Sequence, residues 1–169
     1  CMRSGQYTYN VALIASMIAH LGEEKAEAWL KGVRQNLARK PAGGDREAVR
    51  DVQAGLCDIA IANTYYMGAM LNSPEQKAWA EAVRILFPNA EGRGAHVNIS
   101  GVAMTANAPN KASATALIEF LAGPDAQKRY AETLHEYPVA AGVAPSALVA
   151  GWGPLKADAL SLARIAELR

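Results

Sequence analysis

The chain has 169 residues, of which 51% are hydrophobic and 20% are charged, and these fractions exclude a disordered or fibrous protein. Lys and Arg together number 17 against 16 Asp and Glu residues, and no basic stripe interleaves with aromatic residues, so nucleic acid is not expected as a partner. No apolar stretch reaches the roughly 18 residues that a membrane-spanning helix needs, so stable membrane insertion is not expected either.

Strands and helices are predicted to alternate in the first part of the chain. Asn10 is expected to cap an apolar helix that stops at Gly22, and Asp45 is expected to cap another that stops at Gly55. A strand should then lead to a pair of tyrosines. In chain order, the predicted elements are a strand over 1–4, helices over 11–21, 23–35 and 46–54, and a strand over 58–64.

The second part of the chain continues this alternation. Ser73 and Pro74 mark a helix start, and Gln76 completes a capping box. Apolar residues alternate from Val97 to Ala103, which is typical of a strand. The predicted elements are a helix from the cap at 73 to 83, strands over 84–87 and 97–105, and helices over 111–121, 125–134 and 158–168. Strands that alternate with helices predict an α/β fold with a largely parallel sheet.

Tyr65 and Tyr66 follow directly on the apolar run 58–64, and the carboxyl ends of strands are where α/β folds bind ligands. A phenol offers a hard oxygen donor, and a trivalent hard cation can displace a phenol proton whose free pKa is about 10. The pair therefore suggests ferric iron. Adjacent aromatic residues also serve packing, so this interpretation needs support from the rest of the sequence.

The sequence offers no pattern for catalysis. It lacks the G-x-S-x-G elbow, the G-x-x-x-x-G-K phosphate loop and the G-x-G-x-x-G turn, and its two cysteines lie in predicted strands and not at an activated helix start. The histidines, His20, His96 and His135, lack the spacing of a zinc site. A binding protein is therefore predicted, and an enzyme is not.

Short motifs spread over essentially the whole chain follow one another in a characteristic order and spacing. They are Cys1-Met2-Arg3-Ser4, Tyr9-Asn10, the stretch 17–29, Asn63-Thr64-Tyr65-Tyr66-Met67-Gly68, Phe87-Pro88-Asn89, Gly92-Arg93-Gly94, the stretch 96–101 and Glu136-Tyr137-Pro138-Val139. In these motifs the chain resembles the periplasmic ferric-ion-binding proteins of bacterial ABC importers.

The resemblance implies an α/β fold of the type II periplasmic-binding-protein class, in which each lobe has a largely parallel or mixed sheet flanked by helices. Fe(III) would be held in a cleft between two lobes that close by a hinge motion. The resemblance also implies a periplasmic location and delivery of the iron to an ABC permease.

Only the C-terminal half of such a protein is covered by the resemblance. It implies that residues 1–97 and 144–169 belong to the second, C-terminal lobe and that 98–143 crosses back to an incomplete first lobe. The initial part of the first lobe, with any ligand that it contributes, is then expected as a missing partner from the same protein.

The resemblance also extends to individual metal ligands. Tyr65 and Tyr66 match the tyrosine pair of the family, and Tyr9 matches a third phenolate used by a branch with several tyrosine ligands. Three phenolates would cancel the charge of Fe(III), which makes burial of the ion tolerable. For Tyr9, packing on the helix that follows is an alternative role.

In the family, a small anion such as carbonate can fill the remaining coordination positions. Ser4 and Gly5 lie in the predicted turn before a helix, where free N–H groups attract anions, and Asn63 matches a polar position of relatives that bind phosphate. Asp45 departs from that pattern, because a carboxylate would repel the anion, and its role as a helix cap is the simpler interpretation.

The two cysteines lie in strands that can be neighbours in an α/β lobe. Cys1 belongs to the first predicted strand, and Cys57 opens the strand before the tyrosines. In the oxidising periplasm that the resemblance implies, they are expected to form a disulfide, which would stabilise the fold by about 4 kcal/mol in the chain-entropy model. Two buried thiols that act as small hydrophobes are the alternative.

A second class of ligand stays open. Type II lobes also bind oxyanions and small organic molecules, and a phenol pair at a strand end can stack on an organic ligand. Colour separates the two hypotheses, because phenolate bound to Fe(III) is orange to red and should bleach in acid as protons compete for the phenolates.

Overall fold

The computed structural model of the chain describes residues 1–169 and divides them into two compact units. Unit 1 consists of Cys1–Asn98 and Leu155–Arg169, and unit 2 of Ile99–Pro154. The predicted lobe division, 1–97 with 144–169 against 98–143, differs from these units in the segment 144–154, which lies in unit 2. The assignment of the units to lobes stays a prediction.

Helices are the main regular elements of both units. In chain order they are α1 (Thr8–Leu21), α2 (Glu23–Gln35), α3 (Asp45–Gln53), α4 (Tyr65–Leu71), α5 (Lys77–Glu81), α6 (Lys111–Ala122), α7 (Pro124–Arg129) with the π-helical turn Tyr130–Leu134 directly after it, α8 (Ala147–Ala150) and α9 (Leu162–Glu167). None of them has the length and apolarity needed to cross a bilayer. The helices predicted from 73 and over 158–168 are shorter than expected, at Lys77–Glu81 and Leu162–Glu167. The helix predicted over 125–134 is divided into α7 and the π-helical turn.

Two predicted helix caps are wrong. α1 begins at Thr8, so Asn10 lies inside it, and the Asn10 side-chain amide donates instead to the carbonyls of Arg3 and Ser4, at 3.1 and 2.9 Å. Asp45 is the first residue of α3 and makes no cap. The cap residue there is Gly44, whose N–H donates to the Glu47 carboxylate at 2.7 Å. Both side chains bind other segments of the chain and not the free N–H groups of a helix start.

The predicted sheet is not confirmed. The chain contains two isolated parallel bridges, Met2 with Ile61 and Ala95 with Ala157, in place of strands over 1–4, 58–64, 84–87 and 97–105. The alternating pattern of 97–105 requires a surface to cover its apolar face, and residues 98–105 are exposed in this chain. A ladder needs several consecutive pairs, and each of these segments finds at most one.

The bridge at Ala95 attaches the C-terminal segment to the body of unit 1. The Ala95 N–H donates to the Lys156 carbonyl and the Asp158 N–H donates to the Ala95 carbonyl, both at 2.8 Å. Gly94 permits this approach, because a Cβ atom there would lie 2.6 Å from the Lys156 carbonyl oxygen and its φ is +94°. The segment then continues into α9, where Ile165 packs on Ala12 and Ala15 of α1.

Candidate metal centre

The three predicted phenol ligands lie together in unit 1. Tyr9 is in the first turn of α1, and Tyr65 and Tyr66 are the first two residues of α4. The Oη atoms of Tyr9 and Tyr65 are 3.2 Å apart, and the ring centroids of Tyr65 and Tyr66 are 4.2 Å apart. The pair opens a helix and does not end a strand, so the predicted local structure was wrong while the predicted grouping of the side chains is found.

Local contacts place these tyrosines. The amide of Asn10 holds the turn before α1 through the carbonyls of Arg3 and Ser4, which brings Tyr9 to the start of the helix. In α4 the buried side chains of Met67 and Met70 anchor one face, because apolar residues three apart share a helix face. Tyr65 and Tyr66 lie in the first turn of this helix, where the Tyr65 hydroxyl meets that of Tyr9.

The spacing of the oxygens suits a small hard cation. Octahedral oxygen ligands at about 2.1 Å from such an ion lie about 3 Å from each other, which is close to the 3.2 Å between the Oη atoms of Tyr9 and Tyr65. Burial raises the pKa of Tyr65, and hydrogen bonds to Tyr66 and Tyr9 raise it further. The Tyr65 phenol therefore holds its proton more tightly than a free phenol does.

An arginine and an aspartate border the phenols. The Arg3 guanidinium lies 3.5 Å from the Tyr7 ring centroid and 5.5 Å from that of Tyr9, and its Nη1 is 3.0 Å from the Asp45 carboxylate. Burial acts to lower the pKa of Arg3, but a hydrogen bond to Tyr66 and the Asp45 charge raise it on balance. Arg3 therefore stays charged beside the phenols at any physiological pH.

Asp45 also accepts hydrogen bonds from the backbone and the side chain of Asn63. Its side chain is only 1% exposed, and its Oδ2 accepts from the Asn63 backbone N–H at 2.7 Å and from the Asn63 amide at 2.8 Å. The remaining Asn63 oxygen accepts from the Asn98 amide at 2.8 Å, while Ser4 Oγ accepts from the Gln6 N–H at 3.2 Å. Of the three residues predicted to bind an anion, Asn63 thus has its backbone N–H and its amide engaged by a carboxylate of the chain.

The model of one protein family matches residues 16–157, and its description is "Bacterial extracellular solute-binding protein". The chain belongs to this family. The assignment confirms the prediction of a binding protein and not an enzyme.

Several relatives of this solute-binding protein carry names that refer to iron. It is 46% identical over 166 residues to "Iron uptake protein A1" of Synechocystis, a match that covers 97% of this chain and 46% of that protein. It is 30% identical over 136 residues to the "Major ferric iron-binding protein" of Neisseria meningitidis, covering 80% of this chain and 39% of that protein.

Solved structures of similar sequence share its fold. An open conformation of Mannheimia haemolytica ferric iron-binding protein A matches with a TM-score of 0.95 and 53% identity over 99% of this chain and 53% of that chain. A Trichodesmium protein in complex with iron and citrate matches with a TM-score of 0.93 and 43% identity over 98% of this chain and 53% of that chain. The solute-binding protein thus spans about half the length of these relatives, and the predicted resemblance to ferric-ion-binding proteins is confirmed.

The cysteines of the solute-binding protein are joined. Cys1 and Cys57 form a disulfide with their Cα atoms 5.9 Å apart, and no free cysteine remains. The adjacent pairing is parallel, since the Ile61 N–H donates to the Cys1 carbonyl at 3.0 Å. The disulfide therefore ties the segment that carries Arg3 to the segment that leads to the tyrosine pair.

His20 and His96 have polar partners that are not the predicted phenol ligands. His20 Nε2 is 2.6 Å from the Asp158 carboxylate, and burial lowers the pKa of His96, whose Nε2 is 3.4 Å from the Asn98 amide oxygen. No group of three His, Cys, Asp or Glu side chains could hold a metal.

Sequence reasoning missed the polar residues around the phenols. Arg3 lies within a motif that was quoted for its family likeness, and Asp45 was interpreted as a cap. Arg46, 5.6 Å from the Tyr66 ring centroid, was not singled out at all. One available signal was the departure at Asp45 from the family pattern, because an unexpected carboxylate near an expected anion site calls for a cationic partner.

Proposed function

We propose that the full-length protein containing this chain binds Fe(III) in the periplasm through the phenolates of Tyr9, Tyr65 and Tyr66 and delivers it to the ABC permease of an iron importer. The observation that carries the proposal is the 3.2 Å separation of the Tyr9 and Tyr65 oxygens beside the Tyr66 ring. The names of the relatives support the choice of ferric iron, and the family supports the periplasmic role.

Binding exchanges protons for the metal. Each phenol that becomes a ligand loses one proton, and three phenolates neutralise a trivalent ion, so the loaded centre carries no net charge from these four groups. Because burial and the neighbouring phenols raise the pKa of Tyr65, its proton competes strongly with the metal. Ferric affinity should therefore rise with pH, and acid should release the iron.

A ferric titration of the full-length protein tests the proposal. We expect an orange to red charge-transfer band that saturates at one Fe(III) per protein, release of up to about three protons per ion, and bleaching on acidification. The iron is supplied as ferric nitrilotriacetate, and a chelate-only blank is the control. A colourless protein whose melting temperature rises with an oxyanion or a small organic ligand would contradict the iron proposal and favour the second ligand class.

A co-ligand such as carbonate receives less support than the metal. An anion at Ser4, Gly5 and Asn63 would have to displace Asp45, which accepts both Asn63 donors. The similar Trichodesmium structure contains citrate with its iron, so an anion held by other groups of the full-length protein is compatible with the proposal.

We further propose that unit 2 packs against the part of the full-length protein that lies outside this chain, as the predicted crossing of 98–143 into a first lobe requires. α6 buries none of its residues, and five large apolar side chains of unit 2 are between 42% and 59% exposed: Ile99, Val102, Met104, Leu117 and Phe120. Exposed apolar side chains that cluster on one surface mark protein–protein contacts. The relatives are about twice as long as this chain, so they contain enough additional sequence to supply one.

If unit 2 packs in this way, Phe120→Asp should destabilise the full-length protein by about 3 kcal/mol or more, since it removes an aromatic ring from the proposed contact and puts a charge in its place. Thr115→Asp on the same helix is the matched control, which we expect to change stability by less than about 0.5 kcal/mol. Urea unfolding measures both. Equal stability of the two variants would show that this face of α6 is exposed to solvent in the full-length protein.

A further inference from the structure

We propose that the buried Arg3–Asp45 pair positions the phenols of the metal site. This inference rests on the proposed function, because it concerns how the ferric ligands are held. Arg3 would fix Tyr9 at the start of α1, and Asp45 would hold Arg3 and, through Asn63, the segment that leads to Tyr65 and Tyr66. Neither residue would touch the metal, so both are positioning residues.

Arg3 contacts the phenol cluster from the α1 side. The carbon of its guanidinium lies 3.5 Å from the Tyr7 ring centroid and 5.5 Å from the Tyr9 ring centroid, and its Nη1 binds Asp45. A guanidinium is a planar group with donors in fixed directions. Arg3 can therefore hold an α1 phenol in a fixed position relative to Asp45.

Asp45 binds that guanidinium and holds its position. Its Oδ1 is 3.0 Å from Arg3 Nη1, while its Oδ2 accepts from the backbone and the amide of Asn63. Asn63 precedes Tyr65 by two residues, and its carbonyl accepts the Tyr66 N–H at 3.3 Å. A movement of Asp45 would thus reach the phenols through Arg3 and through Asn63.

The same contacts could serve stability alone, and α3 offers a direct comparison. At the other end of this helix, Arg39 Nε is 2.6 Å from the carboxylate of Asp51, and both carboxylates are nearly buried, Asp45 at 1% and Asp51 at 7% exposure. Arg39 contacts no tyrosine ring. The two pairs share their chemistry and their helix but differ in their distance from the phenols.

The test compares Arg3→Met with Arg39→Met in the full-length protein. We expect Arg3→Met to lower ferric affinity by about 10- to 100-fold, the range found for partners that orient metal ligands, and to shift the maximum of the charge-transfer band. Arg39→Met should lower the unfolding midpoint but leave affinity within about twofold and the band unmoved. Arg3→Lys should recover part of the affinity, because it keeps the charge without the planar fork.

A metal-free measurement separates positioning from folding. In NMR spectra of the apoprotein with labelled tyrosines, Arg3→Met should shift the ring signals of Tyr7, Tyr9 and Tyr66, whereas Arg39→Met should leave them in place. If Arg3→Met does not fold, Arg3→Lys and Asp45→Asn are measured in the same way. Parental affinity and ring signals in the folded Arg3 variant, or equal losses in both arginine variants, would overturn the inference.

Failure of the proposed function gives a different result. In that case the parent protein would bind no Fe(III), and the affinities could not be compared. If the parent binds iron and Tyr65→Phe does not, while Arg3→Met binds as the parent does, only the positioning role is lost.

Discussion

Tyr65→Phe is expected to lower ferric affinity by more than about 100-fold in the full-length protein. The substitution removes one donor oxygen, and even the outer partners of metal ligands contribute about 10- to 100-fold. Tyr65 should matter most among the three phenols, because its hydroxyl is hydrogen-bonded to that of Tyr9 and its ring centroid lies 4.2 Å from that of Tyr66. Competition with a chelator of known affinity measures the change, and the charge-transfer band should weaken with the loss of one phenolate.

Tyr7→Phe is the matched control for this substitution. Tyr7 lies beside Tyr9, with ring centroids 5.4 Å apart, and it carries the closest guanidinium contact of Arg3. Its ring is 46% exposed, so the hydroxyl can be removed without a buried gap. We expect parental affinity and colour from Tyr7→Phe, and parental affinity in Tyr65→Phe would contradict the phenolate centre.

The stability of Tyr65→Phe should remain close to that of the parent. Phenylalanine keeps the ring contact with Tyr66, and the lost hydrogen bond to Tyr9 contributes about 1 kcal/mol. A large loss of stability together with the loss of iron would mean that the hydroxyl holds the fold and that the affinity change is indirect. Urea unfolding of the apoprotein distinguishes these outcomes.

The sequence was sufficient to predict which tyrosines lie together and insufficient to predict their local structure. Tyr9, Tyr65 and Tyr66 were chosen from hard-donor chemistry and family likeness, and the structure brings them together. The pair was placed at the end of a strand because the apolar run 58–64 precedes it. That run pairs at a single bridge, Met2 with Ile61, and local pattern cannot say how many neighbours a segment will find.

Helix caps failed for a related reason. Asn10 and Asp45 are good cap residues in isolation, but in the fold their side chains bind the segment 3–4 and Asn63. Asn63 is distant in sequence from Asp45, and residues 3 and 4 precede the start of α1. Cap propensity describes the bond that a side chain can make to its own helix. Contacts with other segments decide whether the side chain makes that bond or binds elsewhere.

The alternation in 97–105 predicts a strand that the structure of this chain does not contain. Val97 to Ala103 has the period of a half-buried strand, but residues 98–105 are exposed. The same holds for α6, whose apolar residues remain at the surface. Under the proposed packing of unit 2, these residues would be covered in the full-length protein.

Removal of the disulfide is expected to lower the free energy of unfolding by about 4 kcal/mol. Cys1 and Cys57 are 56 positions apart, and in the chain-entropy model the crosslink restricts the unfolded chain over a loop of that length. The double substitution Cys1→Ser and Cys57→Ser tests this by urea unfolding of the metal-free full-length protein. A loss of less than about 1 kcal/mol would show that the unfolded chain is already restricted in some other way.

Iron binding provides a further check on the origin of this loss. If the crosslink acts mainly on the unfolded chain, the folded double variant keeps its phenols in place, and its charge-transfer band at saturating Fe(III) should match that of the parent. Parent protein treated with a reductant should unfold at the same urea concentration as the double variant. A shifted band in the double variant would mean that the disulfide also orients Arg3, two residues from Cys1, and the metal site would then depend on the crosslink directly.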